Sequence, residues 1–354
     1  MALLKKNKNI SSNVAGNIVV IGAGSWGTAL ANLIASNPKL KNNEVILCSN
    51  LKQEVDDLIK TGENTRCFPG IKLSKNLKFS HQPESYLRDA SMVVFSVPSK
   101  AVREVAKSLE IPKETILVNT AKGVEPNTLK RMSEVLFEEQ GVQDRITSLS
   151  GPSFAKEVIK NLPTAVCIAS SSKETLDKCV DVFHYGNFRV YSSSDLVGVE
   201  FGGVLKNIIA IAAGMLDGAQ MGLNARAGMI TRGMLEIQEL CVAMGAKKET
   251  VFGLSGLGDL ILTATGDLSR NRTLGKRFGQ GEKLEDILKS LGQVAEAATS
   301  TSEIVKLAKQ QNLALPIIFE VDKVLKGERT VQESVKSLLS RKQSGEFSST
   351  GNAK

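Results

Sequence analysis

The stretch "NIVVIGAGSWGTALA", residues 17 to 31, restricts the fold of this chain more than any other. An apolar run that reads as a buried strand meets Gly22-x-Gly24-x-x-Gly27, and the helical pattern "SWGTALANLIA" comes at once after it. In that setting the first glycine permits a tight turn and the second lets a pyrophosphate approach the backbone. The third allows the helix to pack closely on the strand. The helix N-terminus then presents free N–H groups and the positive end of its dipole to an anion. The stretch predicts a dinucleotide-binding unit at the head of the chain.

The rest of the first half repeats this alternation. Short Val/Ile/Leu-rich runs at 44–49, 91–98, 114–120, 146–151, 164–170 and 188–193 alternate with helical stretches at 99–109, 127–140, 153–160 and 173–184. Continuous apolar strands separated by helices predict a mostly parallel, doubly wound sheet covered on both faces, a Rossmann architecture. After about Ser194 strand-like runs become rare. Helical patterns at 195–217, 225–245, 284–291, 300–311, 316–326 and 331–340 predict an all-α region. The expected organisation is an α/β dinucleotide-binding domain at 1–194, a helical domain at 195–340 and a polar tail at 341–354.

Bulk properties narrow the class. With 354 residues, 42% hydrophobic and 23% charged, the composition is that of an ordinary two-domain globular enzyme. The net charge of +8 comes from scattered lysines, and no basic stripe is interleaved with aromatics, so a nucleic-acid partner is not expected. Cys48, Cys67, Cys167, Cys179 and Cys241 are far apart and odd in number, which suits reduced thiols in the cytoplasm. His81 and His184 stand outside any ligand-spaced cluster, so no metal site is expected. The N-terminus lacks a signal-peptide core. No apolar run is read as reaching membrane-spanning length, the longest being interrupted by Lys206.

Several short segments carry candidate chemistry. "GGVLKNIIAIAAGM" at 202–215 places Lys206 amid Leu205, Ile208, Ile209 and Ile211. Such a lysine snorkels, closes a buried ion pair, or acts as an acid/base with a lowered pKa. "NTAKGVEP" puts Lys122 after a predicted strand, where ligands of parallel sheets bind, although a surface lysine reads the same way. In "SLSGPSFAKEV" a turn at Gly151 precedes Ser153, whose hydroxyl suits either a helix N-cap or a ligand. Gly253, Gly256, Gly258 and Asp259 read as a flexible turn. Ser269, Arg270 and Asn271 come next, a set able to grip a phosphate monoester or simply to cap a helix. "GQVAEAATS" contributes Val294 and Glu296, the latter equally readable as an exposed helix residue. The second strand ends in Ser49-Asn50-Leu51-Lys52 without a carboxylate to repel a 2′-phosphate, so NAD and NADP both remain open.

Taken in order, "GAGSWGTALA", "NTAKGVE", "SGPSFAKEV", "GGVLKNIIAIAAGM", "GLNARAGMITRGMLEI", "GLSGLGDLILT", "SRNRTLGK" and "GQVAEA" closely resemble the bacterial NAD(P)-dependent glycerol-3-phosphate dehydrogenases over residues 17–340. The resemblance implies a Rossmann domain, a helical substrate domain and a homodimer. It also implies interconversion of sn-glycerol 3-phosphate and dihydroxyacetone phosphate, which supplies phospholipid synthesis. It makes Lys206 the proton acceptor, with Lys122 and Asp259 as catalytic neighbours. Gly151, Ser153, Ser269, Arg270 and Asn271 complete the substrate contacts. Gly22, Gly24, Ser25, Trp26, Gly27, Asn50, Lys122, Ala155, Arg270, Val294 and Glu296 would line the cofactor pocket. "GQVAEA" departs from the family's usual "VVEG". A related β-hydroxyacid dehydrogenase and a non-catalytic dinucleotide-binding regulator are the rival readings.

Overall fold

The apolar run after Asn17 is covered on both sides, which is why it does not alternate with polar residues. In the computed structural model, which describes residues 14–291, 295–343 and 345–346, Ile18 and Val20 pack with Leu30 and Ile34. Val19 and Ile21 point the other way, into a cluster with Phe95 and Leu117. The strands are β1 (Asn17–Ile21), β2 (Val45–Cys48), β3 (Leu77–Ser80), β4 (Ala90–Phe95), β5 (Ile116–Asn119), β6 (Ile146–Ser150), β7 (Thr164–Ala169) and β8 (Phe188–Ser193). They form one sheet in the order β3-β2-β1-β4-β5-β6-β7-β8. β6 and β7 pair antiparallel, and every other pairing is parallel. The strand order reverses between β1 and β4, and the crevice beyond their carboxyl ends is where doubly wound sheets take ligands. The fold is Rossmann-like in this half.

Among the described residues no strand follows Ser193. Asp195 opens the next helix, Leu196–Gly218, by accepting the Gly198 N–H at 2.9 Å. Its other oxygen accepts the Lys247 N–H at 2.8 Å, tying a second loop to the same cap. This helix is the axis of the helical half. It meets Arg270–Gly279 at backbone contact: a Cβ on Gly214 would lie 2.1 Å from the Arg272 carbonyl oxygen, and one on Gly275 would lie 2.0 Å from that of Ile211. Only hydrogens fit there, so the two helices are locked at close range and Ser269-Arg270-Asn271 is held against the Lys206 helix.

Four sequence expectations need correction. The Lys206 helix, 23 residues long, is long and apolar enough to cross a membrane, contrary to the reading that no run reaches that length. It is instead the core of the helical half, buried over most of its length, which satisfies the same composition. The segment 127–140 is helical only from Met132, because Asn127 and Leu129 take positive φ in a turn closed by a Val124–Arg131 bridge. Gly253 to Gly258 is not a flexible turn: Leu254–Gly258 is a single π-helical turn running into the helix Asp259–Thr265. Ser153 caps no helix. The short helix Ala155–Val158 begins after Phe154, and the Ser153 hydroxyl donates to the Gly151 carbonyl at 3.0 Å.

Candidate active site

The β1 turn is shaped by two steric demands. Gly22 has φ +109°, and a Cβ there would lie 2.6 Å from the Ser96 carbonyl oxygen just beyond β4. A Cβ on Gly27 would lie 2.0 Å from the Gly22 carbonyl oxygen, so the helix Ser25–Ala35 starts directly on the turn. Gly24, by contrast, faces open space. No side chain caps this helix, so its first N–H groups face the opening unoccupied by protein acceptors. The nearby Ser96 hydroxyl is buried and has no partner among the described residues. Bare backbone at Gly24 and an uncapped 11-residue helix suit a pyrophosphate.

From this turn a cleft of about 1040 Å³ runs to the helical half. One end is lined by Gly24, Ser25, Trp26, Ser49 and Asn50. The other is lined by Lys122, Ser153, Ala155, Lys206, Asn207 and Ser269-Arg270-Asn271. Gly22 and most of the other residues expected from sequence therefore border one continuous space, while Gly27, Gly151 and Asp259 stand behind its wall. Val294 lies outside the described residues, as does the Glu296 side chain.

At the inner wall two lysines share one carboxylate. Lys206, only 6% exposed, donates to Asp259 Oδ1 at 3.0 Å and to the Thr263 hydroxyl at 2.6 Å. Lys122 donates to Asp259 Oδ2 at 2.6 Å and to the Gly151 carbonyl at 3.2 Å. Burial alone would raise the Asp259 carboxyl, but the charges of Lys122 and Lys206 hold it below the ordinary range. Burial lowers Lys206 to about 8, a shift that Asp259 opposes and Lys122 reinforces. Asp259 does not border the cleft. It lies beneath both ammonium groups, so it holds and tunes them rather than facing the open space. Gly151 contributes a carbonyl that fixes Lys122 and Ser153.

Asn271 donates to the Asn207 side chain at 2.8 Å, fastening the Ser269-Arg270-Asn271 segment to the residue next to Lys206. Ser269 caps its own helix by accepting the Arg272 N–H. Arg270 is exposed at the mouth and makes no hydrogen bond to the described residues, leaving its fork available.

Two family models divide the chain. Residues 17–176 match the N-terminus of NAD-dependent glycerol-3-phosphate dehydrogenase, and residues 195–336 match its C-terminus. The chain belongs to this family of oxidoreductases. A glycerol-3-phosphate dehydrogenase [NAD(P)+] of Moorella thermoacetica is 45% identical over 94% of this chain and 98% of its own length. One from Stenotrophomonas maltophilia is 40% identical over 96% and 99%. The crystal structure of the Coxiella burnetii enzyme superposes with a TM-score of 0.86 at 37% identity, covering 93% of this chain and all of that one. D-mandelate dehydrogenase, at 13% identity and TM-score 0.57, shares the fold alone.

Three parts of this glycerol-3-phosphate dehydrogenase family site escaped the sequence reading. Thr263 stands four residues after Asp259 on one helix face, a spacing that would have found it. Asn207 was visible beside Lys206, but its partner lies 64 positions away. Glu200, six residues before Lys206 on the same helix, accepts from the Ser133 N–H and hydroxyl, from Arg131, and from Asn119 at the end of β5. It is buried, and burial raises its carboxyl while Arg131 opposes the shift. This cluster fastens the Lys206 helix to the strand that leads to Lys122.

Proposed function

We propose that this chain is an NAD(P)-dependent sn-glycerol-3-phosphate dehydrogenase, interconverting glycerol 3-phosphate and dihydroxyacetone phosphate, with Lys206 as general acid/base. The observation that carries this is the Lys206–Asp259–Lys122 bridge, which sets a tuned, nearly buried amine at the wall of the cleft. Residues up to 194 form the cofactor unit and residues 195–340 the substrate unit, with the reacting groups at their junction and 341–354 as a tail. The cradle around Gly22, Gly24, Ser25, Trp26 and Gly27 would hold the pyrophosphate, with Asn50 towards the adenosine end. Ala155, Arg270, Val294 and Glu296 would complete the cofactor's surroundings. The nicotinamide cofactor, when bound, supplies or accepts the hydride.

Everything else falls to side chains. Neutral Lys206 takes the proton of the substrate C2 hydroxyl, and as ammonium it returns a proton to the carbonyl oxygen. A pKa of about 8 leaves both forms populated near neutrality, so the same residue serves either direction. Lys122 stabilises negative charge growing on that oxygen. Arg270, Asn271 and Ser269 hold the phosphate remote from the reacting carbon, with Ser153 and the Gly151 backbone closing the opposite side. The same reading makes the protein a cytoplasmic homodimer that feeds phospholipid synthesis.

The test is oxidation of NADH and of NADPH, in parallel, with dihydroxyacetone phosphate. Wild type turns over, whereas Lys206→Ala loses activity by about three orders of magnitude or more while cofactor fluorescence titration stays unchanged. Near-normal turnover in Lys206→Ala removes the assigned role. Turnover of a carboxylate-bearing hydroxy acid in place of the phosphate would favour a β-hydroxyacid dehydrogenase.

A further inference from the structure

The far end of the cleft holds an arginine that the reaction does not use. Arg66 borders the same space as Ser49 and Asn50, which directly follow β2, where an adenosine ribose is recognised in such folds. It is fixed there by its neighbour two residues back. Asn64, buried, donates to the Ala23 carbonyl in the glycine turn and to the Thr28 hydroxyl, both at 2.9 Å, and accepts the Cys67 N–H. The loop carrying Arg66 is thus pinned to the turn itself.

The carboxylate that contacts both Ser49 and Arg66 is already committed. Glu54 accepts from the Ser49 hydroxyl through one oxygen and from Arg66 Nη2 through the other. Its charge is matched and both oxygens are engaged, so it is poorly placed to hold a ribose hydroxyl. Arg66 Nη2 also reaches the Ala23 carbonyl at 3.4 Å. Its Nε and Nη1 make no hydrogen bond to the described residues, and its side chain is 59% exposed. A half-open guanidinium with spare donors, beside a neutralised carboxylate and the Asn50 amide, is a seat for a phosphate.

We propose that Arg66, oriented by Glu54 and Asn64, binds the 2′-phosphate of NADP and makes this chain prefer NADP over NAD. The proposal rests on reading the cleft as a dinucleotide site. Glu84 and His81 also border this end, and Lys52 pairs with Asp56 on the helix outside, so Arg66 is the arginine at hand.

The experiment is calorimetric titration of the protein with 2′,5′-ADP and with 5′-AMP, which needs no turnover. Wild type should bind 2′,5′-ADP at least about tenfold more tightly, and Arg66→Ala should erase that margin while leaving 5′-AMP within about twofold. Arg66→Lys should restore part of the margin, and added salt should reduce it. Equal binding of the two nucleotides by wild type overturns the proposal. So does an Arg66→Ala variant that keeps the margin, or one that weakens both nucleotides alike, which would mark Arg66 as merely structural. Failure of wild type to bind either nucleotide overturns the dinucleotide reading itself, and the proposal with it.

Discussion

Asp259→Asn isolates what the shared carboxylate does. Asn keeps the size and one accepting oxygen, enough for Lys206 and Thr263 on one side, turns an amide donor to the other, and removes the charge that lies 3.0 Å from the Lys206 ammonium and 2.6 Å from that of Lys122. Unit charges about 4 Å apart at an effective dielectric near 20 attract by about 4 kcal/mol. One pKa unit is about 1.4 kcal/mol, so losing that attraction lowers Lys206 by two to three units, from about 8 towards about 5 to 6. In the proposed mechanism the Lys206 ammonium is the acid in carbonyl reduction. In wild type kcat/KM for dihydroxyacetone phosphate therefore falls as pH rises through about 8. In the variant the fall moves to lower pH by the same two to three units. Oxidation needs the neutral amine, so its rising limb moves to lower pH as well, with a lower plateau because a weaker base accepts the proton. The fold survives for the same reason. At pH 7 Lys206 simply discharges, so the variant avoids most of the roughly 3–5 kcal/mol that stranding a buried charge would cost. The assay is a pair of pH–rate profiles, with thermal melts as the folding control. Limbs that stay near pH 8 in a folded variant would refute the idea that Asp259 sets the Lys206 proton affinity.

Two further substitutions test the substrate end. Arg270→Ala should raise KM for dihydroxyacetone phosphate by about tenfold or more with a smaller change in kcat, as expected for a phosphate contact remote from the reacting carbon; an unchanged KM moves the phosphate site elsewhere. Gly214→Ala would drive a methyl group into the Arg272 carbonyl oxygen 2.1 Å away, so urea denaturation should show a loss of about 1–3 kcal/mol or more, together with a raised KM as Asn271 is displaced. Gly228→Ala, in a helix but with nothing within 4 Å, should be neutral or slightly stabilising and serves as its control.

The parts of the fold legible in the sequence are those where local pattern and tertiary burial agree. β1, β2, β4 and β5 read as strands because both faces are covered and every face needs an apolar side chain. β3, "LKFS", has only Leu77 buried and sits at the sheet edge, so no run announced it. The helix Arg270–Gly279 was hidden by its own composition. "RNRTLGKRFG" is basic and carries two glycines, which in isolation weaken a helix by about 1 kcal/mol each. Those glycines are what let it lie against the backbone of the Lys206 helix, a benefit visible only when both helices are in place.

The site divides the same way. Residue types at single positions were legible, because a lysine in an apolar helix or an arginine beside serine and asparagine is chemically conspicuous wherever it lies. Convergence was not, since Lys122 and Asp259 meet across 137 positions and no spacing rule spans that distance. The glycines just before Lys206 show the same dependence on distant partners. A Cβ on Gly202 would press on the backbone of Ser255 and Gly256, and one on Gly203 would lie 2.6 Å from the Ser150 hydroxyl and 3.6 Å from Lys122 Cγ. Two glycines inside a long helix cost stability locally, yet their absent side chains admit β6, Lys122 and the π-turn that leads to Asp259. The local weakness and the buried ammonium therefore have one cause: the helix is thinned where the two halves of the chain must bring Lys122 and Asp259 to Lys206.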